Sequence, residues 1–251
     1  MSKLSIPVLI VLYNPDNNCI KRIESFKSAV NFFIFDNSSL ENKISGVRYY
    51  KSQSNQGLSG AIYWMFQECL NSKNDYFLFF DQDTIFSIES IEYINRHFLS
   101  LNSFELISHY SSEEKNRGFV EFIINSGTIY PINILEKCLV NLKNYYVDCV
   151  DLSICLTAKR NNFQVISNWA PDIDHFSDQG YFDVNFKIFK LKLKLYPTNS
   201  RKEFYKSLLN LLLECIHKYR SSKDFFIVLK FILAFFVGQT LAILFYKKNI
   251  Q

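Results

Sequence analysis

Apolar residues in this chain come in short unbroken runs, at residues 6–13 (IPVLIVLY), 32–35 (FFIF) and 76–80 (YFLFF). Runs of this length, apolar throughout rather than alternating, read as strands buried on both faces of a parallel sheet. The first is stopped by Asn14-Pro15-Asp16, a turn and helix-start signal. Pro7 interrupts that run and no small-residue cleavage site follows it, so it is expected to be a first strand and not a signal peptide. A polar segment at 17–29 reads as a helix, and 47–51 as a third strand. Asn55-Gln56-Gly57-Leu58-Ser59-Gly60 then opens a helix running to about 71. The β-α-β-β-α-β alternation implies a mostly parallel sheet with helical crossovers. Further on, 88–101 reads as a helix, and 104–109 and 119–124 as strands, the second followed by Asn125-Ser126-Gly127-Thr128. Pro131 starts a helix to about 142. Residues 145–153 lead into a helix to about 160, 163–166 reads as a strand, and 171–175 as a polar loop.

After residue 186 the texture changes. Lys187, Lys190, Lys192, Lys194, Arg201, Lys202 and Lys206 surround the start of an apolar helix at 204–216. A second stretch, 225–246, is apolar except for Lys230, Gln239 and Thr240, and Lys247 and Lys248 close it. Its 22 residues just suffice to cross a bilayer, which takes about 20. Three placements fit: a helix pair in the membrane interface with Lys230 and Gln239 on one face, a true span, or a soluble core or dimer helix. Basic residues beside apolar helices suit an anionic cytoplasmic leaflet. The expected division is a domain over 1–190 and a basic, apolar helical tail over 191–251.

Composition narrows the picture. Hydrophobic residues make up 48% of the 251 and aromatics 17%, with 25 Phe and 15 Tyr, so core material is ample for one sizeable domain and an appendage. Gly (7) and Pro (5) are too scarce for a disordered or collagen-like chain. A net charge of +4, dispersed, makes no case for nucleic acid as a partner. Cys19, Cys69, Cys138, Cys149, Cys155 and Cys215 include no C-x-x-C pair, which fits a reducing compartment better than a zinc site or disulfide framework.

The chemistry concentrates at Phe80-Asp81-Gln82-Asp83-Thr84. Ligands of open α/β sheets bind outside the carboxyl ends of the strands. Two hard oxygen donors there suit Mg²⁺ or Mn²⁺, held by one or two carboxylates and substrate phosphates. On the residues alone, a strand end whose aspartates cap a turn is an equal alternative. Polar groups recur at other strand ends, Asn14 and Asp36, so a shared ligand edge is expected.

Taken together, Val11-Leu12-Tyr13-Asn14-Pro15, Phe35-Asp36-Asn37-Ser38-Ser39, Asn55-Gln56-Gly57-Leu58-Ser59-Gly60-Ala61, the Asp81–Asp83 motif, Asn125-Ser126-Gly127 and Val147-Asp148-Cys149-Val150-Asp151 resemble the family 2 glycosyltransferases. The closer likeness is to the rhamnosyltransferase-like branch of O-antigen and capsule biosynthesis, over roughly residues 6–180. The resemblance implies the α/β GT-A fold of nucleotide-diphospho-sugar transferases, a Rossmann-like mostly parallel sheet flanked by helices, here with a C-terminal helical membrane-associating extension. It implies that Tyr13, Asn14 and Asp36 hold the base and ribose of a nucleotide-sugar. Asn55 and Gly57 would open a helix whose N–H groups meet nucleotide or phosphate. Asp81 and Asp83 would bind Mn²⁺ or Mg²⁺, with His175 as a further metal or diphosphate contact. Asp151 would be the general base of an inverting transfer, with Asp148 as competitor for that role. The implied donor is a nucleotide-sugar such as dTDP-rhamnose and the implied acceptor a polyprenyl-diphosphate-linked oligosaccharide. The implied place is the cytoplasmic face of the bacterial inner membrane, peripheral or monotopic. Two departures stand out: Ser153 where the family usually has Glu, and Tyr63-Trp64 where Asn is common. Two rival readings remain at this level. One is a haloacid dehalogenase-type phosphatase built on Asp-x-Asp, although Ile85 stands where that motif wants Thr or Val. The other is a membrane-bound transferase-like assembly subunit without turnover, to which Ser153 lends its support.

Overall fold

The computed structural model describes residues 4–101, 105–112, 117–174, 181–185, 190–194, 198–216 and 222–248. The chain divides into two compact units, Met1–His175 and Phe176–Gln251.

In the first unit the buried runs become β1 (Pro7–Leu12), β2 (Asn31–Asp36) and β4 (Tyr76–Asp81), and the short segment Arg48–Lys51 becomes β3. All four run parallel in the order β3-β2-β1-β4. Leu12 is in register with Asp36, Val11 with Asp81, and Asp36 with Lys51, so the carboxyl ends of these strands meet along one edge. Helix α1 (Asn17–Phe26) is capped by Asp16, whose carboxylate accepts the Cys19 N–H, and α2 (Gly57–Ser72) ends at left-handed Lys73. A Ser87–Ser90 capping box opens α3 (Ile88–Ser100). One face of the sheet (Val8, Ile10, Leu12, Phe32, Ile34, Leu78, Phe80) packs with Cys19 and Ile23 of α1 and Ile91, Ile94 and Phe98 of α3. On α2, Trp64 packs against Phe33, Phe35 and Tyr50, so it serves as packing on the sheet.

Beyond β4 the sheet departs from expectation. The 119–124 run is a strand only at β6 (Gly118–Phe119), while Thr128–Pro131 forms a strand, β7, that its length concealed. Pro131 is the last residue of β7 and the N-cap of α4 (Ile132–Leu142), not its first turn. β7 lies antiparallel between β4 and β5 (Leu106–Ser111), and β8 (Gln164–Trp169) runs parallel to β5, so the sheet is mixed. Among the described residues it has eight strands, β3-β2-β1-β4-β7-β5-β8-β6. The reversal has a consequence for the ligand edge. Because Phe79 pairs with Thr128, the loop entering β7 arrives beside the end of β4. Gly127 there has φ +79° and donates its N–H to Phe79 O, and an added Cβ would lie 2.2 Å from Tyr110 O. Only glycine fits. Helix α5 (Val150–Arg160) follows α4.

The second unit holds an antiparallel pair, β9 (Tyr181–Asn185) and β10 (Lys190–Lys194), in a stretch for which the apolar pattern predicts no strand, and two helices. These are α6 (Thr198–Glu214) and α7 (Ser222–Lys248). Phe235 of α7 stacks on Phe204 and meets Tyr205 edge-on, both from α6. Within α7, Asp224–Ala242 has a mean hydropathy of 2.1 with only 18% of it buried, and is long and apolar enough to cross a membrane by length and composition.

Candidate active site

A cleft of about 470 Å³ opens at the carboxyl ends of β1 and β4. Tyr13, Asn37, Asn55, Gly57, Asp81, Gln82, Asp83, Tyr146 and Val147 line it, over an apolar floor of Val11 and Leu58. Tyr13, Asn55, Gly57, Asp81 and Asp83 are thus brought together from three separate places in the sequence. Asn37, Gln82, Tyr146 and Val147 join them, residues for which neither spacing nor motif implies a role.

The acidic turn is held from behind. Asp81 N–H donates to Ser126 Oγ at 2.9 Å, and that hydroxyl also meets Thr84 Oγ1, both side chains being buried. Thr84 N–H closes the turn on Asp81 O at 3.1 Å. Asp81 is half-buried and Asp83 exposed. Burial first, then the charges of Asp83 and Asp151, push the Asp81 carboxyl up to about 7. Asp151 sits in the first turn of α5, where its Oδ1 accepts the Leu152 N–H at 2.8 Å. Burial outweighs that donor, Asp148 adds repulsion, and the carboxyl is pushed up to about 6. Asp151 does not line the cleft, yet its charge reaches Asp81.

A cation would relieve this repulsion. Asp81 and Asp83 present hard oxygens in one cleft, the donor set that Mg²⁺ or Mn²⁺ takes alongside substrate phosphates. Among the described residues no three His, Cys, Asp or Glu side chains converge on a point suited to a metal, so Asp151 stands apart from the pair rather than completing it. His175 lies outside the described residues.

Asp36 is placed differently from expectation. It is fully buried and does not line the cleft. Its oxygens accept Ser38 N–H (2.8 Å), Asn42 N–H (3.1 Å), Asn42 Nδ2 (3.0 Å) and the Tyr49 hydroxyl. Burial alone would raise its pKa; the donors from Ser38, Tyr49 and Asn42 win and hold it below the usual carboxylate value. It organises the loop after β2, and the neighbouring Asn37 faces the cleft. Asn14, left-handed at φ +48°, hydrogen-bonds the same loop through Ser38 Oγ (2.8 Å).

The start of α2 corrects another expectation: its first N–H groups are not free for a ligand. Leu58 N–H and Ser59 N–H donate to Tyr146 O at 2.8 and 3.3 Å, and Gly57 N–H to Asn55 Oδ1 at 2.9 Å. Ser59 Oγ donates to Tyr145 O and the Tyr146 hydroxyl to Asn55 O. The segment before α5 is therefore latched to the glycine turn, which carries Tyr146 and Val147 into the cleft. Cys149, the N-cap of α5, is left-handed at φ +63°. Ser153, two residues after Asp151 in α5, is fully buried, and its hydroxyl has no hydrogen-bond partner. The six cysteines are all buried.

The raised carboxyl of Asp81 has a consequence for stability. The folded state binds its proton more tightly than an unfolded chain with an aspartate pKa near 4, so stability present at low pH is lost as pH rises toward about 7. Asp36, held low, titrates below that window. Asp151, raised to about 6, contributes to the same fall, so in metal-free buffer the melting temperature should fall between pH 5 and pH 8, and Asp81→Asn should make the fall shallower. Parallel profiles for wild type and variant would contradict it.

No family model matches the chain, and no curated protein matches it in sequence. Among solved structures, S. aureus TarS aligns with a TM-score of 0.52 at 13% identity, covering 85% of this chain and 40% of that one. TarS 1–349 in complex with UDP-GlcNAc aligns at 0.51 and 12% identity, covering 85% and 67%. This chain spans about 40% of the length of the TarS structure first named. At these identities the likeness concerns the fold alone: this chain shares with TarS an α/β architecture of a mixed sheet flanked by helices.

Proposed function

We propose that this protein is an inverting glycosyltransferase that uses a nucleotide-diphosphate sugar. The observation that carries the reading is the convergence of Asp81, Asp83, Tyr13, Asn55 and Gly57 on one cleft, with the Asp151 charge felt at Asp81. The fold shared with TarS 1–349, which binds UDP-GlcNAc, supports a donor of this class.

In this reading Tyr13, Asn55 and Gly57 form the nucleoside side of the cleft. Asn14 and Asp36 shape it through the loop after β2. Asp81 and Asp83 would hold Mn²⁺ or Mg²⁺, which when bound neutralises the charge of the diphosphate leaving group; His175 is proposed as a further contact. Asp151 takes the proton of the acceptor hydroxyl as the new bond to the anomeric carbon forms. The bond to the diphosphate oxygen breaks on the opposite face, so the anomeric configuration inverts. A pKa of about 6 suits that work: the group is ionised at neutral pH and more basic than a free aspartate. The first donor to test is dTDP-rhamnose, within a panel of nucleotide-sugars scored for nucleoside diphosphate release.

The acceptor in this reading is a polyprenyl-diphosphate-linked oligosaccharide of bacterial surface polysaccharide synthesis, met at the cytoplasmic membrane face. The second unit supports it. Residues 176–251 carry 13 Lys and Arg against 5 Asp and Glu, a net +8 in a chain whose total is +4. Leu209 and Leu213 of α6, Ile216 just after it, and Phe226, Leu233, Phe236 and Val237 of α7 are exposed. Exposed apolar stripes in a basic setting fit the surface of an anionic bilayer. The full chain should sediment with vesicles containing anionic lipid and largely stay in solution with neutral ones at low salt. Equal partition into both would leave the basic residues without this role.

A further inference from the structure

β1 and β4 pair in parallel as far as Val11 and Asp81. Beyond that point β1 turns away through Tyr13 and Asn14, and β4 enters the acidic turn. A side chain carries the pairing one step further. Gln82 Oε1 accepts the Tyr13 N–H at 2.7 Å, and Gln82 Nε2 donates to Tyr13 O at 3.3 Å. The Gln82 carbonyl is fixed in turn by Arg22 of α1, whose Nη2 donates to it at 2.8 Å. The Arg22 guanidinium lies over the Phe86 ring, 5.6 Å from its centroid, and Phe86 stacks on Phe80 of β4 with centroids 4.5 Å apart. A continuous line of contacts therefore runs from the core of the sheet through Phe86, Arg22 and Gln82 to Tyr13.

We infer that Gln82 is a positioning residue, setting Tyr13 and the nucleoside side of the cleft at a fixed offset from the carboxylates of Asp81 and Asp83. The inference rests on the transferase reading for what the cleft binds, though the clamp itself does not. The residue type is dictated by the bonds. A primary amide supplies a donor and an acceptor side by side; glutamate of the same length accepts but does not donate when ionised, and methionine has no strong group of either kind. The amide is also neutral, so the clamp adds no third negative charge between two aspartates. Tyr13 is 55% exposed, so packing alone does not hold it; these two bonds fix its backbone, while Asn14 is tied separately to Ser38 Oγ.

The test uses the full chain with Gln82→Met and Gln82→Glu. Without ligand, amide exchange at Tyr13 should speed up about tenfold or more in Gln82→Met, the effect of losing hydrogen bonds of ordinary net strength. It should remain protected in Gln82→Glu, which keeps the acceptor. With donor, Gln82→Met should raise KM about tenfold and change kcat less than about threefold, because the carboxylates and Asp151 are untouched. Unchanged exchange in Gln82→Met overturns the clamp. Faster exchange with an unchanged KM overturns the positioning role and leaves Gln82 a structural tie. If the wild type releases no nucleoside diphosphate from any donor, the transferase reading fails, and the exchange result alone decides whether Gln82 holds Tyr13.

Discussion

Asp151→Asn should lower kcat by about 10²–10⁴-fold, the usual worth of a positioned general base, while leaving the fold and donor binding in place. Asparagine keeps the shape, and its Oδ1 still accepts the Leu152 N–H that orders the start of α5. What is lost is the site that takes the proton. Removing the charge also takes away one of the causes that raise Asp81, so donor affinity should hold or improve. Asp148 is the informative control. It is half-buried just before the left-handed N-cap Cys149, and Asp148→Asn should change kcat severalfold at most. Single-turnover transfer measured for both variants separates the two aspartates. A Asp151→Asn enzyme within tenfold of wild type, or a larger loss in Asp148→Asn, would move the base elsewhere.

Gly57→Ala should be the most damaging single-methyl change in the first unit. Gly57 is left-handed at φ +67°, and a Cβ there would lie 2.2 Å from Tyr146 O and 2.8 Å from Tyr146 Cδ2. The left-handed backbone costs a non-glycine residue about 1–2 kcal/mol. The clash is worse, because backbone cannot yield the way the tip of a flexible side chain does. Relief requires Tyr146 to withdraw, which breaks its bonds with Leu58 N–H and Ser59 N–H; leaving such groups unsatisfied costs about 1–3 kcal/mol each. A loss of several kcal/mol is a large part of the roughly 5–15 kcal/mol that holds a domain together. Urea unfolding should show a much lower midpoint, and at low temperature the folded fraction should bind donor weakly, since Tyr146 and Val147 line the cleft. A midpoint near that of the wild type would mean the latch between the glycine turn and residues 145–147 carries little.

The parts legible in the sequence were those where local pattern and tertiary environment agree. β1, β2 and β4 are buried on both faces and read as unbroken apolar runs, and their polar ends coincide at one edge because parallel strands share a direction. β7 escaped notice because Thr128–Pro131 is four residues long and ends in a proline that also suits a helix start. With it went the antiparallel reversal that brings Ser126 behind Asp81. Asp36 was visible as a carboxylate at a strand end, but the donors that bury it come from Ser38, Asn42 and Tyr49, whose convergence no spacing announces. The same holds for α2: a glycine turn opening a helix resembles an anion site until Tyr146, almost ninety residues further on, occupies its amides. Gln82 stood between the two aspartates, and its side chain gained meaning only when Tyr13 was found opposite it.

The central claim is that Asp81 and Asp83 grip the diphosphate of a nucleotide-sugar through a divalent cation. Its most direct test is nucleoside diphosphate release from a panel of nucleotide-sugars, run with Mn²⁺, with chelator, and with Asp83→Ala. Release should come from one donor or a small set in the presence of Mn²⁺, falling at least about a hundredfold with chelator and likewise in Asp83→Ala. Release that proceeds equally well with chelator and in Asp83→Ala, or no release from any donor, would contradict it.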